Sequence, residues 1–171
     1  MTSVHIAALG PFQAWGYAAR ITVGESTMRR LLIATALFAG LAQAAEPLAI
    51  DVHRDANCGC CKAWIEHLET NGFRVNDHVE ADMAAVKTRL GVPHGLGSCH
   101  TGVIDGKFVE GHVPASDILK LRAQTDLIGA AVPGMPMGSP GMEIGDRKDP
   151  YKVIAVGREG KQSVMTEYPA D

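Results

Sequence analysis

The chain has 171 residues, 46% hydrophobic and 20% charged, with a formal net charge of −3. That length suits one domain, or one domain with an appendage. The mildly negative charge, without any long run of like charge, excludes the basic footprint of a nucleic-acid binder.

Residues 1–27, MTSVHIAALGPFQAWGYAARITVGEST, precede what reads as a natural start at Met28. They are expected to be an upstream leader, with His5 and Trp15 belonging to no functional site. From Met28 the chain runs MRRLLIATALFAGLAQAAEP: two arginines, an apolar run from Leu31 to Leu41, then small residues at Ala42 and Ala44. That order is the layout of a secretory signal peptide over 28–45, with an A-x-A cleavage site after Ala44 or one residue later. The apolar run is shorter than the roughly 20 residues that span a bilayer. The basic start is minimal, which favours the general secretory route over twin-arginine export. A mature chain beginning near Ala45 or Glu46 folds outside the cytosol, where thiols can be oxidised.

The mature chain reads as alternating elements. PLAIDVHRD (47–55) is strand-like, and Asn57 is a candidate N-cap for a helix over Cys60–Asn71, ended by Gly72. On that helix Cys61, Trp64, Ile65 and Leu68 share one face at three- and four-residue spacing. FRVNDHVE (73–80) alternates as a second strand, and ADMAAVKTRL (81–90) is a second helix closed by Gly91 and Pro93. Two β-runs flank Asp105-Gly106 in TGVIDGKFVEGHV (101–113), a hairpin signal, and PASDILKLRAQ (114–124) is a third helix. The succession β-α-β-α-β-β-α is thioredoxin-like, giving an α/β domain over 46–128 with a cysteine cluster where the first strand meets the first helix. Residues 129–150 are studded with glycine and proline and suit a loop, and two strand-like runs follow about Gly157–Gly160. The stretch 129–171 is therefore a C-terminal extension with a methionine-rich loop and a β-hairpin.

Three of the four cysteines fall in NCGCCKAW (57–64). Cys58 and Cys61 form a C-x-x-C pair, and Cys58 and Cys60 a C-x-C pair. At a helix N-terminus, unpaired amides and the helix dipole favour thiolate, the form that attacks disulfides and binds metals. Thiol exchange, with Cys58 attacking and Cys61 resolving, is one reading. A third neighbouring thiol offers competing pairings and makes a dedicated exchanger awkward. Two structural disulfides are a second reading. A Cys₄ zinc site is a third, though structural zinc favours two separated cysteine pairs. Cys99, in LGSCHTG just before the third strand, is expected to reach the C-x-x-C turn, so that Cys58, Cys60, Cys61 and Cys99 converge as a soft-donor cup.

The extension adds Met135, Met137 and Met142 in GMPMGSPGM, where no helical face is available for them to pack. They are either gap-fillers or thioether ligands. Thiolate with thioether selects soft ions, above all Cu(I), and beside four cysteines the ligand reading is preferred. His100 and His112 are candidate ligands or orienting groups, and His94 lies in the glycine-rich loop leading to Cys99. His53, His67 and His78 receive no role, and Asp77, Glu80 and Asp82 read as a solvated acidic edge.

CGCCKAW, VPHGLGSCHT, VEGHVPASDI and VPGMPMGSPGME, taken together and in order, resemble the CopG family of periplasmic copper-resistance proteins, long catalogued as a domain of unknown function. The resemblance runs from about Asp51 to about Tyr168. It implies a thioredoxin-like domain whose C-terminal extension helps bind metal, and a sulfur-bridged copper cluster on Cys58, Cys60, Cys61 and Cys99 that interconverts Cu(I) and Cu(II) ahead of export. Met135, Met137, Met142, His100 and His112 are matched to it by motif alone. The partners implied are copper ions, periplasmic copper carriers or an efflux system, with no nucleic acid, no membrane span in the mature protein, and a monomeric state. A thiol-disulfide oxidoreductase and a passive copper buffer or chaperone are the alternatives.

Overall fold

The computed structural model describes residues 46–170; the leader and signal peptide read from the sequence lie outside them. In chain order the elements are β1 (Leu48–Arg54), α1 (Gly59–Thr70), β2 (Phe73–Val79), α2 (Met83–Arg89), a 3-10 turn (His94–Leu96), β3 (His100–Ile104) and β4 (Lys107–Glu110). There follow α3 (Ala115–Ala123), β5 (Leu127–Ala131), β6 (Tyr151–Gly157) and β7 (Gln162–Tyr168). Among the described residues, no helix is long and apolar enough to cross a membrane.

The seven strands form one mixed sheet in the order β2-β1-β3-β4-β5-β6-β7, so the fold is α/β. α1 carries the chain from β1 to its parallel neighbour β2, while β3 runs antiparallel to β1 and β4 antiparallel to β3. α3 then returns the chain to lay β5 parallel beside β4, and β6 and β7 complete the sheet as an antiparallel hairpin. The β-α-β-α-β-β-α succession and the terminal hairpin are those expected from the sequence.

β5 is not. Its Gly129-Ala130-Ala131 lacks the bulky β-branched residues that mark a strand. The reason is packing: a Cβ at position 129 would overlap the Phe108 ring on the neighbouring strand. Small residues there are what allow β5 to approach β4. Residue 128, where composition suggests the core ends, falls inside this strand, and the extension continues the same sheet.

Side chains of successive strand residues point to opposite faces. Ile50, Val52, Val109 and Ala130 pack with Trp64, Leu68, Ile118 and Leu121 in the larger core. Phe108, Ala131 and Val156 pack with Val92 and Leu96 on the other face. Of the expected apolar stripe on α1, Cys61, Trp64 and Leu68 are fully buried and Ile65 is half-buried.

The start of α1 differs from expectation by one residue. The Asp55 carboxylate accepts from Asn57 N at 2.8 Å, and the Asp55 carbonyl accepts from Cys58 N at 3.3 Å. This turn moves the N-cap to Cys58, in extended conformation, whose side chain caps nothing. The first-turn amides therefore receive no side-chain cap from the N-cap residue.

The acidic edge is exposed at Asp77 and Asp82, as expected, and each of its members is also engaged. Arg54, almost fully buried, holds Asp77 through two bonds of 2.8 and 2.6 Å. His53 Nδ1 meets Glu80 at 2.6 Å, and Asp82 accepts from Ala85 N as the N-cap of α2. His67 is engaged as well, since its Nε2 accepts from Ala115 N at 3.2 Å at the start of α3.

Burial holds the His67 pKa below its usual value. As pH falls through about 6.5, the unfolded chain gains a proton at this position before the folded chain does, so stability is lost. The urea midpoint is expected to fall between pH 7.5 and pH 5.5, and to fall less in His67→Gln, which keeps an acceptor but does not titrate. An equal fall in both proteins would remove His67 as a contributor.

Candidate metal centre

Sheet register brings the two halves of the centre together. β1 ends at Arg54, whose partner across the antiparallel pair is His100, the first residue of β3. The turn that follows β1 carries Cys58, Cys60 and Cys61, and the residue that precedes β3 is Cys99. The single late cysteine is thus delivered to the C-x-C-C turn by strand pairing. β4 runs back along β3 with Glu110 opposite Thr101, and Gly111 N then donates to His100 O at 3.1 Å. His112 consequently emerges beside His100, the two rings meeting edge to face at 4.9 Å.

The four sulfurs lie within 4.8 Å of one another. Cys58 and Cys61 are joined as a disulfide across one helical turn, with Cα atoms 5.3 Å apart. Cys60 and Cys99 carry free thiols. Cys60 Sγ stands 3.6 Å from Cys58 Sγ and 3.6 Å from Cys99 Sγ. That spacing is close to the edge of a tetrahedron with metal–sulfur bonds of about 2.3 Å, roughly 3.8 Å.

The imidazoles complete the donor set. His100 Nε2–H donates to Gly111 O at 3.0 Å, leaving the Nδ1 lone pair facing Cys99 Sγ at 3.2 Å. His112 Nδ1–H donates to Pro140 O at 2.8 Å, leaving the Nε2 lone pair facing the same sulfur at 3.3 Å. Carbonyls that accept only, and so fix the tautomer, are the usual way a ligand histidine is aimed. Both rings are fully buried, and burial pushes both pKa values down, His100 well below the usual range, so both are neutral. Burial, then Cys60, pushes the Cys99 thiol up to about 12, so it holds its proton at neutral pH. One thiol proton cannot satisfy two lone pairs. A cation bound between them would.

The loop that carries Cys99 is held by a residue that gives no signal in the sequence. Glu110 is completely buried and accepts from Lys87 Nζ and Ser98 N, both at 2.5 Å, and from Thr101 Oγ1 at 2.6 Å. A glutamate at the end of a strand ordinarily reads as surface, because a charged side chain is rarely buried without a partner. Here the partner lies 23 residues upstream on α2. Trp64 serves a similar purpose for the rings, donating from Nε1 to Val113 O at 2.9 Å and packing on His100 with centroids 4.3 Å apart.

Residues 132–150 cross the centre as a strap pinned at three places. Ser98 Oγ donates to Gly134 O at 2.6 Å, Pro140 O holds His112, and Gly141 lies against the backbone of α1. Gly141 has a φ of +83°, and a Cβ there would stand 2.7 Å from Trp64 N and 3.0 Å from Cys60 O. Met135, Met137 and Met142 all lie on this strap. Met135 is 54% exposed and the other two are half-buried. Backbone bonds from Met137 to Asp149 and from Met142 to Ser139 and Gly138 set the strap's path. The cysteines and the two histidines are thus gathered into two overlapping donor groups that share Cys99, whereas His94 sits exposed on the 3-10 turn.

A family model described as a protein of unknown function, DUF411, matches residues 96–142, a span that includes Cys99, both buried histidines, Glu110 and the three strap methionines. No curated protein matches. Two solved structures do, forms 2 and 1 of a copper resistance protein copG, each 77% identical to this chain. Each likeness covers 72% of this chain, and 100% and 99% of the solved chains, with TM-scores of 0.72 and 0.71.

Removing the buried carboxylate in Glu110→Ala strands Lys87 and releases Ser98. The expected cost is about 3 kcal/mol in urea unfolding, with metal retention weakened about 10- to 100-fold. Gly141→Ala forces a strained φ and an overlap with α1, and is expected to cost about 1–3 kcal/mol in the same measurement.

Proposed function

The chain belongs to the family of the copper resistance protein CopG, and on that premise we propose that it is an exported, periplasmic copper-binding protein. With the Cys58–Cys61 bridge reduced, it holds copper as Cu(I) on the thiols of Cys58, Cys60, Cys61 and Cys99, with His100 and His112 as nitrogen donors, and interconverts Cu(I) and Cu(II). The observation that carries this reading is the convergence of two neutral imidazole lone pairs on the single sulfur of Cys99, next to a second free thiol 3.6 Å away. Sulfur with imidazole is a donor set that copper accepts in both valences. A helix N-terminus behind the thiols favours their charged form once the metal displaces the proton. Met135, Met137 and Met142 supply soft donors on the strap that covers the centre.

The second reading, a thiol-disulfide oxidoreductase, is favoured by the Cys58–Cys61 bridge itself. In that reading Cys58 attacks a disulfide of another molecule and Cys61 resolves it, with Cys99 unnecessary. A passive copper buffer needs no change of valence.

Metal analysis of the chain expressed from Met28 and purified without oxygen separates these. Copper bound in stoichiometric amount, and lost in Cys99→Ser, is the expected result. Reduction of a small disulfide substrate that survives in Cys99→Ser, with no copper retained by the parent, would instead establish exchange. Copper of a single valence under both oxidising and reducing conditions would leave storage as the function.

A further inference from the structure

On the face of the sheet turned away from α1, four side chains that the copper reading leaves unused stand together. Ile50 and Val52 point into the larger core with Trp64 and Leu68, so Asp51 and His53 point the other way. Parallel pairing sets Asn76 of β2 opposite Asp51, and His78 opposite His53. The two imidazoles stack, with centroids 4.9 Å apart and planes 19° from parallel. His78 Nε2 stands 2.9 Å from Asp51 Oδ1, which also accepts from Asn76 Nδ2 at 3.1 Å. His53 Nδ1 stands 2.6 Å from Oε1 of Glu80, the residue that follows β2.

The two contacts suit a cation in different ways. A nitrogen and an oxygen 2.9 Å apart are spaced like neighbouring ligands at a right angle on bonds of about 2.0 Å, an edge of roughly 2.8 Å. A metal ion can therefore replace the proton that His78 shares with Asp51. The Glu80 contact orients instead. A carboxylate only accepts, so the neutral His53 ring commits its one N–H to Glu80 and keeps a lone pair on Nε2. A histidine held by a carboxylate in this way is the usual support of a metal site. Exposure divides along the same line. His78 and Asp51 are 45% and 49% exposed and open to an arriving ion, whereas His53 and Glu80 are 15% and 29% exposed.

We propose that His78, Asp51 and His53 bind a divalent cation, Cu(II) by preference, at an outer site separate from the thiol centre, with Glu80 orienting His53. The ion releases the His78 proton to solvent, and a further tilt of the His53 ring brings in Nε2 as the third donor. No change of valence is involved. Two imidazoles and a carboxylate, without sulfur, form a donor set in which Cu(II) outranks the other first-row divalent ions. None of these residues belongs to the thiol centre, so either site can fail without the other.

The test uses the chain expressed from Met28, labelled with heavy nitrogen, its thiols first filled anaerobically with Cu(I) supplied as such. Cu(II) chloride is then added below one equivalent, and NMR follows the amide signals that the paramagnetic ion broadens. The signals of Asp51, His53, Asn76 and His78 are expected to fade first, with electron paramagnetic resonance showing coupling to two imidazole nitrogens. His53→Gln and His78→Gln should each weaken Cu(II) binding at least tenfold and leave Cu(I) retention unchanged. Glu80→Gln should weaken it about tenfold through loss of the orienting contact.

Broadening centred on other residues, no saturable Cu(II) binding, or undiminished affinity in either histidine variant would overturn the proposal. If Cu(I) is not retained, the thiol reading falls alone. The same titration with Ni(II), which thiols do not reduce, then decides the outer site by the same signals.

Discussion

A carboxylate with no exposed surface holds the centre in place. Glu110 gathers Lys87 from α2, Ser98 from the loop and Thr101 from β3, while its own carbonyl accepts from Val132 N at the root of the strap. Burying such a charge is costly unless its lone pairs are answered, and here both oxygens have donors. α2, the stretch that leads into β3, and the root of the strap are thereby fixed around one residue. Cys99 sits one position from the amide that Glu110 binds, so the position of its sulfur follows from this network. The ring orientations follow too, because β3 and β4 must stay in register for His100 and His112 to meet.

Once the sulfur is placed, its chemistry follows from what surrounds it. Two imidazoles, each with its proton committed to a backbone carbonyl, present two acceptors to one thiol. Protein alone leaves one of them without a donor. A bound cation would engage both lone pairs at once, the pattern expected where function overrides local stability. Sulfur, nitrogen and a half-buried setting select the kind of cation, and the family to which the chain belongs names copper resistance as the setting.

Much of the fold and the centre is legible in the sequence, for reasons that lie in particular residues. The helix over the cysteines is visible because Cys61, Trp64 and Leu68 keep helical spacing. The convergence of Cys99 on the others is visible because a lone cysteine just before a strand has one obvious destination once the strand order is known. β5 is hidden because its glycine and alanines exist to make room for Phe108, and room leaves no mark in hydrophobicity. Glu110 is hidden for a different reason: a charged residue announces burial only through its partner, and Lys87 belongs to another element. The one-residue shift of the N-cap comes from Asp55, whose turn competes with Asn57 for the helix start.

The bond from His112 to Pro140 ties the chemistry of the centre to the path of the strap. A backbone carbonyl can only receive a hydrogen, and Pro140 O thereby dictates which nitrogen of the ring stays bare. A shorter relative ending before this proline would keep every cysteine and still not be the same ligand field. Its ring would be free to carry the proton on either nitrogen and to turn its basic atom away. Kinship judged by the cysteine motif alone would therefore group together molecules whose donors point in different directions.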